Sequence, residues 1–225
     1  MFSGTYFITG TDTGVGKTAL TALLTRHLRA QGRVARAVKP LCSGGREDAH
    51  LLRAAQGDAL PLDEVNLWHF RAPLAPLVAA RREGVKIRRG EMLSYLRRMR
   101  AGCDVLLVEG AGGLLSPLGE DFNARDLITA LRATPLVVCP NRLGAINQAL
   151  LVLAALPQGA ARRAQLVLMA QLRPDTSAQS NVTMLEEALS STRVHVLPRL
   201  TEAQLAGRMS LSPRLRQMLN SLVET

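Results

Sequence analysis

Short apolar runs of β-forming residues alternate with helix-patterned stretches, and this alternation restricts the fold of the 225-residue chain more than any other feature. The runs are TYFIT from Thr5, RVARAVK from Arg33, DVLLVE from Asp104, PLVVC from Pro135, AQLVLMA from Ala164 and RVHVLP from Arg193. Helical patterns between them cover Lys17 to Ala30, Asp48 to Ala55, Arg89 to Arg100, Ala124 to Leu131, Ala145 to Leu156 and Asn181 to Leu189. Apolar strands separated by helices are what a parallel sheet covered on both faces requires. The expected architecture is α/β, with a mostly parallel central sheet flanked by helices in three layers, as a single domain over residues 1–225. In such sheets ligands gather in the crevice beyond the carboxyl ends of the strands. A motif that carries chemistry is expected at that edge.

Composition removes some function classes. The longest apolar run, ALLVLAAL from Ala149 to Leu156, stops at Pro157, far short of the roughly 20 residues a membrane span needs. A strand-like segment begins within a few residues of Met1, where a secretory leader would have to lie, so a cytoplasmic location is expected. Cys42, Cys103 and Cys139 are odd in number and lack CxxC spacing, which indicates neither a disulfide framework nor a cysteine metal site. The formal charge is +10, from 25 arginines and only three lysines, Lys17, Lys39 and Lys86, against 18 acidic residues. Such a balance favours anionic partners in general. Its densest part, RREGVKIRRGEMLSYLRRMR from Arg81 to Arg100, has one aromatic residue for stacking and two interrupting glutamates, so it reads as a solvated helix face rather than a nucleic-acid surface.

Two of the three lysines fall inside candidate site motifs. The stretch YFITGTDTGVGKTAL from Tyr6 reads as strand, glycine turn and amphipathic helix. It nearly fits the phosphate loop G-x-x-x-x-G-K-[ST], but the first glycine is Gly10, one residue early, with Thr11 in its place. Turn amides and the positive helix end can cradle phosphates, Lys17 would reach the β and γ phosphates, and the Thr18 hydroxyl suits Mg²⁺. The second motif, VKPLCSGGREDA, ends its strand at Lys39, held extended by Pro40, so that the ammonium enters the crevice. Ser43 and Gly44 follow, and Asp48 begins the next helix, where cap and metal ligand are equally good readings.

The third motif, CDVLLVEGAGG, carries Glu109 out of a buried strand into a loop containing Gly110, Gly112 and Gly113. A carboxylate ending a buried strand needs a cation or donors, and with Thr18 it suits Mg²⁺. A structural ion pair with an arginine is the competing account. The fourth segment, CPNRLGAINQAL, enters a helix at Gly144 to Asn147. That helix start could hold a carboxylate or be only a capped end, and chemistry alone does not rank it as a site.

Together, GTDTGVGKT, KPLCSG, the DA at Asp48, VEGAGG and LGAIN resemble the dethiobiotin synthetase family of phosphate-loop NTPase-like proteins, in family order over about two thirds of the chain. That family characteristically has GTDT before its VGKT. The resemblance implies an ATP- and Mg²⁺-dependent ligase that bridges the vicinal amines of 7,8-diaminopelargonic acid with one carbon from CO₂ or bicarbonate. It assigns catalysis to Lys39 and Lys17. Diamine contacts fall to Thr13 and Ser43, and Gly144, Ala145, Ile146 and Asn147 receive the distant carboxylate across a homodimer interface. Thr18, Asp48 and Glu109 become the magnesium ligands. ATP contacts fall on Gly14, Val15, Gly16, Lys17, Thr18, Ala19, Asp48, Glu109, Gly110, Ala111, Gly112, Gln171, Pro198, Arg199 and Leu200. No nucleic-acid or membrane partner is expected.

Two places depart from the family pattern. Gln171 and Leu172 replace an Asn-Asp pair that reads adenine, and PLAPLVAA at Pro73 lacks a Ser-Pro-His character. The main alternative is a partitioning or regulatory ATPase that binds DNA or membrane through its basic surface. Its signature lysine would fall at position 12, which is Asp12. A related amidoligase acting on a corrinoid acid would need a glutamine-hydrolysing domain that this length does not hold.

Overall fold

The computed structural model describes residues 4–189 and 192–223. In chain order these form β1 (Gly4–Gly10), α1 (Lys17–Ala30), β2 (Ala35–Val38), β3 (Leu41–Ser43), α2 (Glu47–Ala55), α3 (Leu62–Val65) and β4 (Trp68–Phe70). Next come α4 (Pro76–Arg82), α5 (Arg89–Arg100), β5 (Val105–Glu109), α6 (Ala124–Leu131), β6 (Thr134–Pro140) and α7 (Ala145–Ala155). The last are α8 (Gln158–Ala161), β7 (Gln165–Met169), α9 (Ser177–Ala188), β8 (Arg193–Leu197), α10 (Glu202–Leu205) and α11 (Pro213–Ser221). All six expected runs are strands of one parallel sheet, in the order β2-β5-β1-β6-β7-β8.

Side chains alternate across the sheet, as strand geometry requires. Phe7, Leu106, Val108 and Val137 pack on one face with residues of α5, α6 and α7. Tyr6, Ile8, Leu107 and Leu136 pack on the other with α1, α2 and α11. The α11 end is tied down by polar contacts: Tyr6 Oη donates to the Val223 carbonyl over 2.8 Å and Gln165 Nε2 to that of Leu222 over 3.0 Å.

Register positions the site. Ile8 lies opposite Glu109, Gly10 opposite Val138, and Val38 opposite Val108. The loops after β1, β2, β5 and β6 therefore leave the sheet at one edge, and Lys39 emerges level with Glu109.

Some boundaries move. The expected strand from Arg33 to Lys39 shortens to Ala35–Val38, because Val34 is partly in solvent and the Lys39 amide donates to Val65 O instead of a ladder partner. The helix expected from Asn181 starts at Ser177, and that expected from Asp48 starts at Glu47. A separate two-stranded parallel sheet pairs β3 with β4, Leu41 opposite Trp68 and Ser43 opposite Phe70. It fixes Ser43 beyond the end of the main sheet.

Candidate active site

The early glycine of the phosphate loop has a packing cause. A Cβ on Gly10 would stand 2.6 Å from Val15 Cγ2, so Val15 folds back over the strand end only because position 10 lacks a side chain. Position 11 needs no such space, and the Thr11 amide continues the sheet by donating to Val138 O over 3.0 Å. Gly16 has φ 102°, and a Cβ there would lie 2.7 Å from Met169 Cε. Helix α1 then starts with neither a side-chain cap nor an acidic residue in its first turn. Its positive end faces the crevice uncompensated, which suits an anion.

Four side chains converge at this edge. Thr18 Oγ1 donates to Glu109 Oε1 over 2.7 Å, and Lys39 Nζ donates to the same oxygen over 2.7 Å and to Asp48 Oδ2. Lys17 Nζ bends back over its loop to the Asp12 carbonyl at 2.8 Å. Helix α2 has no side-chain cap bond and begins one residue before Asp48, whose carboxylate is turned to Lys39. The cap reading of Asp48 is thereby corrected. The partner of Glu109 is Lys39, not an arginine.

The electrostatics follow from crowding. Burial, then the neighbouring Lys39, lowers Lys17 to about 8. Burial also pulls Lys39 down, but Glu109 and Asp48 outweigh it and hold Lys39 above the ordinary lysine range. Burial pushes Asp48 up, and Lys39 more than reverses this, leaving its carboxyl below the usual range. Glu109 is 1% exposed, and its Oε2 has no hydrogen-bond partner among the described residues. A hydroxyl, two carboxylates and one unsatisfied carboxylate oxygen are a donor set that fits a hard divalent cation.

A cavity of about 800 Å³ opens here. Thr13, Gly14, Gly16, Lys17, Thr18, Lys39, Ser43, Asp48, Glu109, Ala111 and Gly112 line it. Ser43 Oγ is buried without a partner among the described residues. Leu41, Cys42, Gly45, Pro73, Leu74, Ala75, Pro76 and Ser116 complete the wall and were not anticipated. In the sequence the proline-rich segment stands out only as a departure from the family pattern, and Ser116, which accepts from the Gly113 amide over 3.0 Å, lies in no motif.

The remaining predicted residues lie outside this wall. Val15 and Gly110 are buried, and the Gly110 amide donates to Ile8 O over 2.9 Å. Ala19 lies in the first turn of α1. Gly144 caps α7, and Ala145 is buried with its amide donated to Arg142 O, so Ile146 and Asn147 supply the first-turn amides that lack such partners. Gln171 Nε2 donates to Met169 O over 2.7 Å, while Pro198, Arg199 and Leu200 follow β8. Asp175 ties the Gln171 loop to the Gly144 loop by accepting from the Leu143 amide over 2.8 Å. Helix α7 carries no charged residue and leaves Leu151 62% exposed, with Leu143 before it at 80%.

A phosphate loop between the first strand and first helix of a parallel sheet, facing a carboxylate at the end of the neighbouring strand, defines a nucleotide-binding domain of the phosphate-loop class. A family model described as an AAA domain matches residues 4–205. The MinC:MinD cell division protein complex of Aquifex aeolicus superposes with a TM-score of 0.64 at 14% identity, covering 99% of this chain and 96% of that one, a likeness of fold alone. Curated relatives are more specific. The ATP-dependent dethiobiotin synthetase BioD of Anaeromyxobacter sp. (strain Fw109-5) is 46% identical over 154 residues, 67% of this chain and 69% of its own. Those of Aromatoleum aromaticum and Bacillus subtilis (strain 168) are 34% and 33% identical, covering 92% and 87% of this chain and 96% and 87% of theirs. The chain belongs to the ATP-dependent dethiobiotin synthetase family.

Proposed function

We propose that the protein closes the ureido ring of dethiobiotin, with residues 1–225 acting as one catalytic unit in the cytoplasm. One amine of 7,8-diaminopelargonic acid adds to CO₂ and loses a proton, giving a carbamate. A carbamate oxygen attacks the γ-phosphorus of ATP and ADP departs. The second amine then attacks the carbonyl carbon of the mixed anhydride, releasing phosphate and a proton. The observation that carries this reading is the meeting of Lys17, Lys39, Thr18, Asp48 and Glu109 in one cavity beside a phosphate loop.

Two anions must approach each other before the phosphoryl group moves. Lys17 neutralises charge on the phosphates, and Lys39 neutralises carbamate and γ-phosphate as charge develops. Thr18, Asp48 and Glu109 are the residues that would hold Mg²⁺, whose chemistry is neutralisation of the phosphate oxygens. Thr13 and Ser43 position the diamine, and the Ser43 hydroxyl, buried without a partner among the described residues, supports this. Ala111, Gly112 and the loop amides from Gly14 to Ala19 cradle the nucleotide. Gln171 takes the place of the residue that reads the base, and Pro198, Arg199 and Leu200 contact the nucleotide. The segment from Gly144 to Asn147 receives the substrate carboxylate of a second copy, and the exposed apolar side of α7 supports a homodimer.

The partitioning-ATPase reading shares the fold of the MinD structures but gains no support from it at 14% identity. No described helix is long and apolar enough to cross a membrane. Purified protein given the diamine, bicarbonate, Mg²⁺ and each nucleoside triphosphate in turn should form dethiobiotin and nucleoside diphosphate. Phosphate release independent of the diamine but raised by DNA would refute the ligase reading. Lys39→Ala should lose turnover with its circular dichroism unchanged.

A further inference from the structure

The Lys39 ammonium stands where two carboxylates meet. It donates to Glu109 Oε1 over 2.7 Å and to Asp48 Oδ2, while the Thr18 hydroxyl reaches the same Glu109 oxygen. Lys39 is 8% exposed, so its positive charge is held by protein oxygens with little help from solvent. Chemically this is already a cation position, filled by the chain's own cation. The two residues that hold it, Asp48 and Glu109, are also two of the three assigned above to Mg²⁺, and the third, Thr18, is bonded to the same Glu109 oxygen; the inference rests on that assignment. Two cations in contact with one carboxylate pair repel strongly in a partly buried setting.

A finished structural ion pair would satisfy all its polar atoms. Here Glu109 Oε2 and, in the same cavity, Ser43 Oγ are buried without partners among the described residues. The main chain of Lys39 is held by the hydrogen bond its amide donates to Val65 O over 2.9 Å, whereas the residue lines the cavity and its flexible four-carbon stem lets the head group pivot. We propose that Lys39 is a built-in stand-in for the divalent cation: ammonium and Mg²⁺ are alternative occupants of the Asp48–Glu109 pair. Metal loading then turns the lysine head towards the cavity, where carbamate and γ-phosphate meet. The catalytic charge is thus withheld until the metal that accompanies the nucleotide has arrived.

The chain has three lysines, which makes the test direct. With lysine ¹³C-labelled at Cε, the Lys39 signal, assigned by its loss in Lys39→Met, should shift progressively as Mg²⁺ alone is added, while that of Lys86 stays fixed. Free Mn²⁺ followed by electron paramagnetic resonance should show Lys39→Met binding the metal about tenfold more tightly than the unaltered chain, or better. Glu109→Gln should lose that binding. A fixed Lys39 signal while Mn²⁺ demonstrably binds, or equal Mn²⁺ affinity in both chains, overturns the exchange and leaves the metal ligands standing. Absence of metal binding to either chain removes the ligand assignment and the exchange together.

Discussion

Thr18 Oγ1 donates to Glu109 Oε1 over 2.7 Å, joining the start of α1 to the end of β5 across 91 residues of sequence. The same oxygen also accepts from Lys39, so a single carboxylate sets the relative positions of hydroxyl and ammonium. Glu109→Gln keeps the shape and removes the charge. Turnover should fall by about two to three orders of magnitude, because the assigned metal position and the Lys39 counter-charge are lost together. Steady-state kinetics check this, with circular dichroism as control for the fold. Turnover within a few-fold of the unaltered chain would remove Glu109 from the machinery.

Lys17, lowered to about 8 by burial and by Lys39, gives a pH dependence with a definite sign. A bound triphosphate favours the charged ammonium and raises its pKa, so nucleotide binding takes up protons near pH 8, roughly half a proton at the midpoint. Affinity should fall as pH rises through that value. In the absence of nucleotide the folded chain binds fewer protons at Lys17 than the unfolded chain between about 8 and the ordinary 10.5, so this group makes stability rise with pH across that window. Calorimetry of nucleotide binding in buffers of different ionisation enthalpy measures the uptake. Proton release, or none, contradicts the assignment.

Gly10→Ala places a methyl 2.6 Å from Val15 Cγ2. The loop must shift, which should lower stability by about 1–3 kcal/mol and weaken nucleotide binding in parallel. Urea unfolding and calorimetry report the two effects. Unaltered values in both would show that Val15 has room to move and that the displaced glycine is incidental.

Gln171 commits an amide hydrogen to the end of the preceding strand, at Met169 O. A base reader built to pair with adenine rejects analogues by factors of about 10⁴ or more. Here discrimination between ATP and other nucleoside triphosphates in kcat/KM should stay below about a hundredfold. A preference above 10⁴ that vanishes in Gln171→Ala would show that the side chain swings out to read the base.

Leu151, 62% exposed on an uncharged helix, should lie in the interface between copies. Leu151→Asp would bury an unpaired carboxylate there and give monomers in analytical ultracentrifugation. The unaltered chain should sediment as a dimer.

The main sheet was legible because its inner strands β5, β6 and β7 are buried on both faces and so read as near-continuous apolar runs, whereas β8, RVHVL, is half in solvent and showed through its β-branched alternation. LLV in β5 and LVV in β6 leave little else to infer. Strands β3 and β4 were not legible, since three-residue pieces such as LCS and WHF carry no usable period and pair only with each other. At the site, Lys39 and Glu109 were readable from their positions at strand ends. Asp48 was not, because a helix cap and a ligand use the same residue type at the same place; the structure shows that it makes no cap bond and turns to Lys39. Ser116 and Leu74 reach the cavity through loop geometry, which local pattern does not encode.

The sheet order also bears on the timing of synthesis. Strand β1 leaves the ribosome before the other strands of the sheet, yet both of its neighbours, β5 from Val105 and β6 from Thr134, come from much later in the chain. During translation the strand that will be the most enclosed keeps two open edges until β5 has been made. The bond from Tyr6 to Val223 waits longer still, so the contacts around this strand are complete only once α11 has followed all the strands of the sheet.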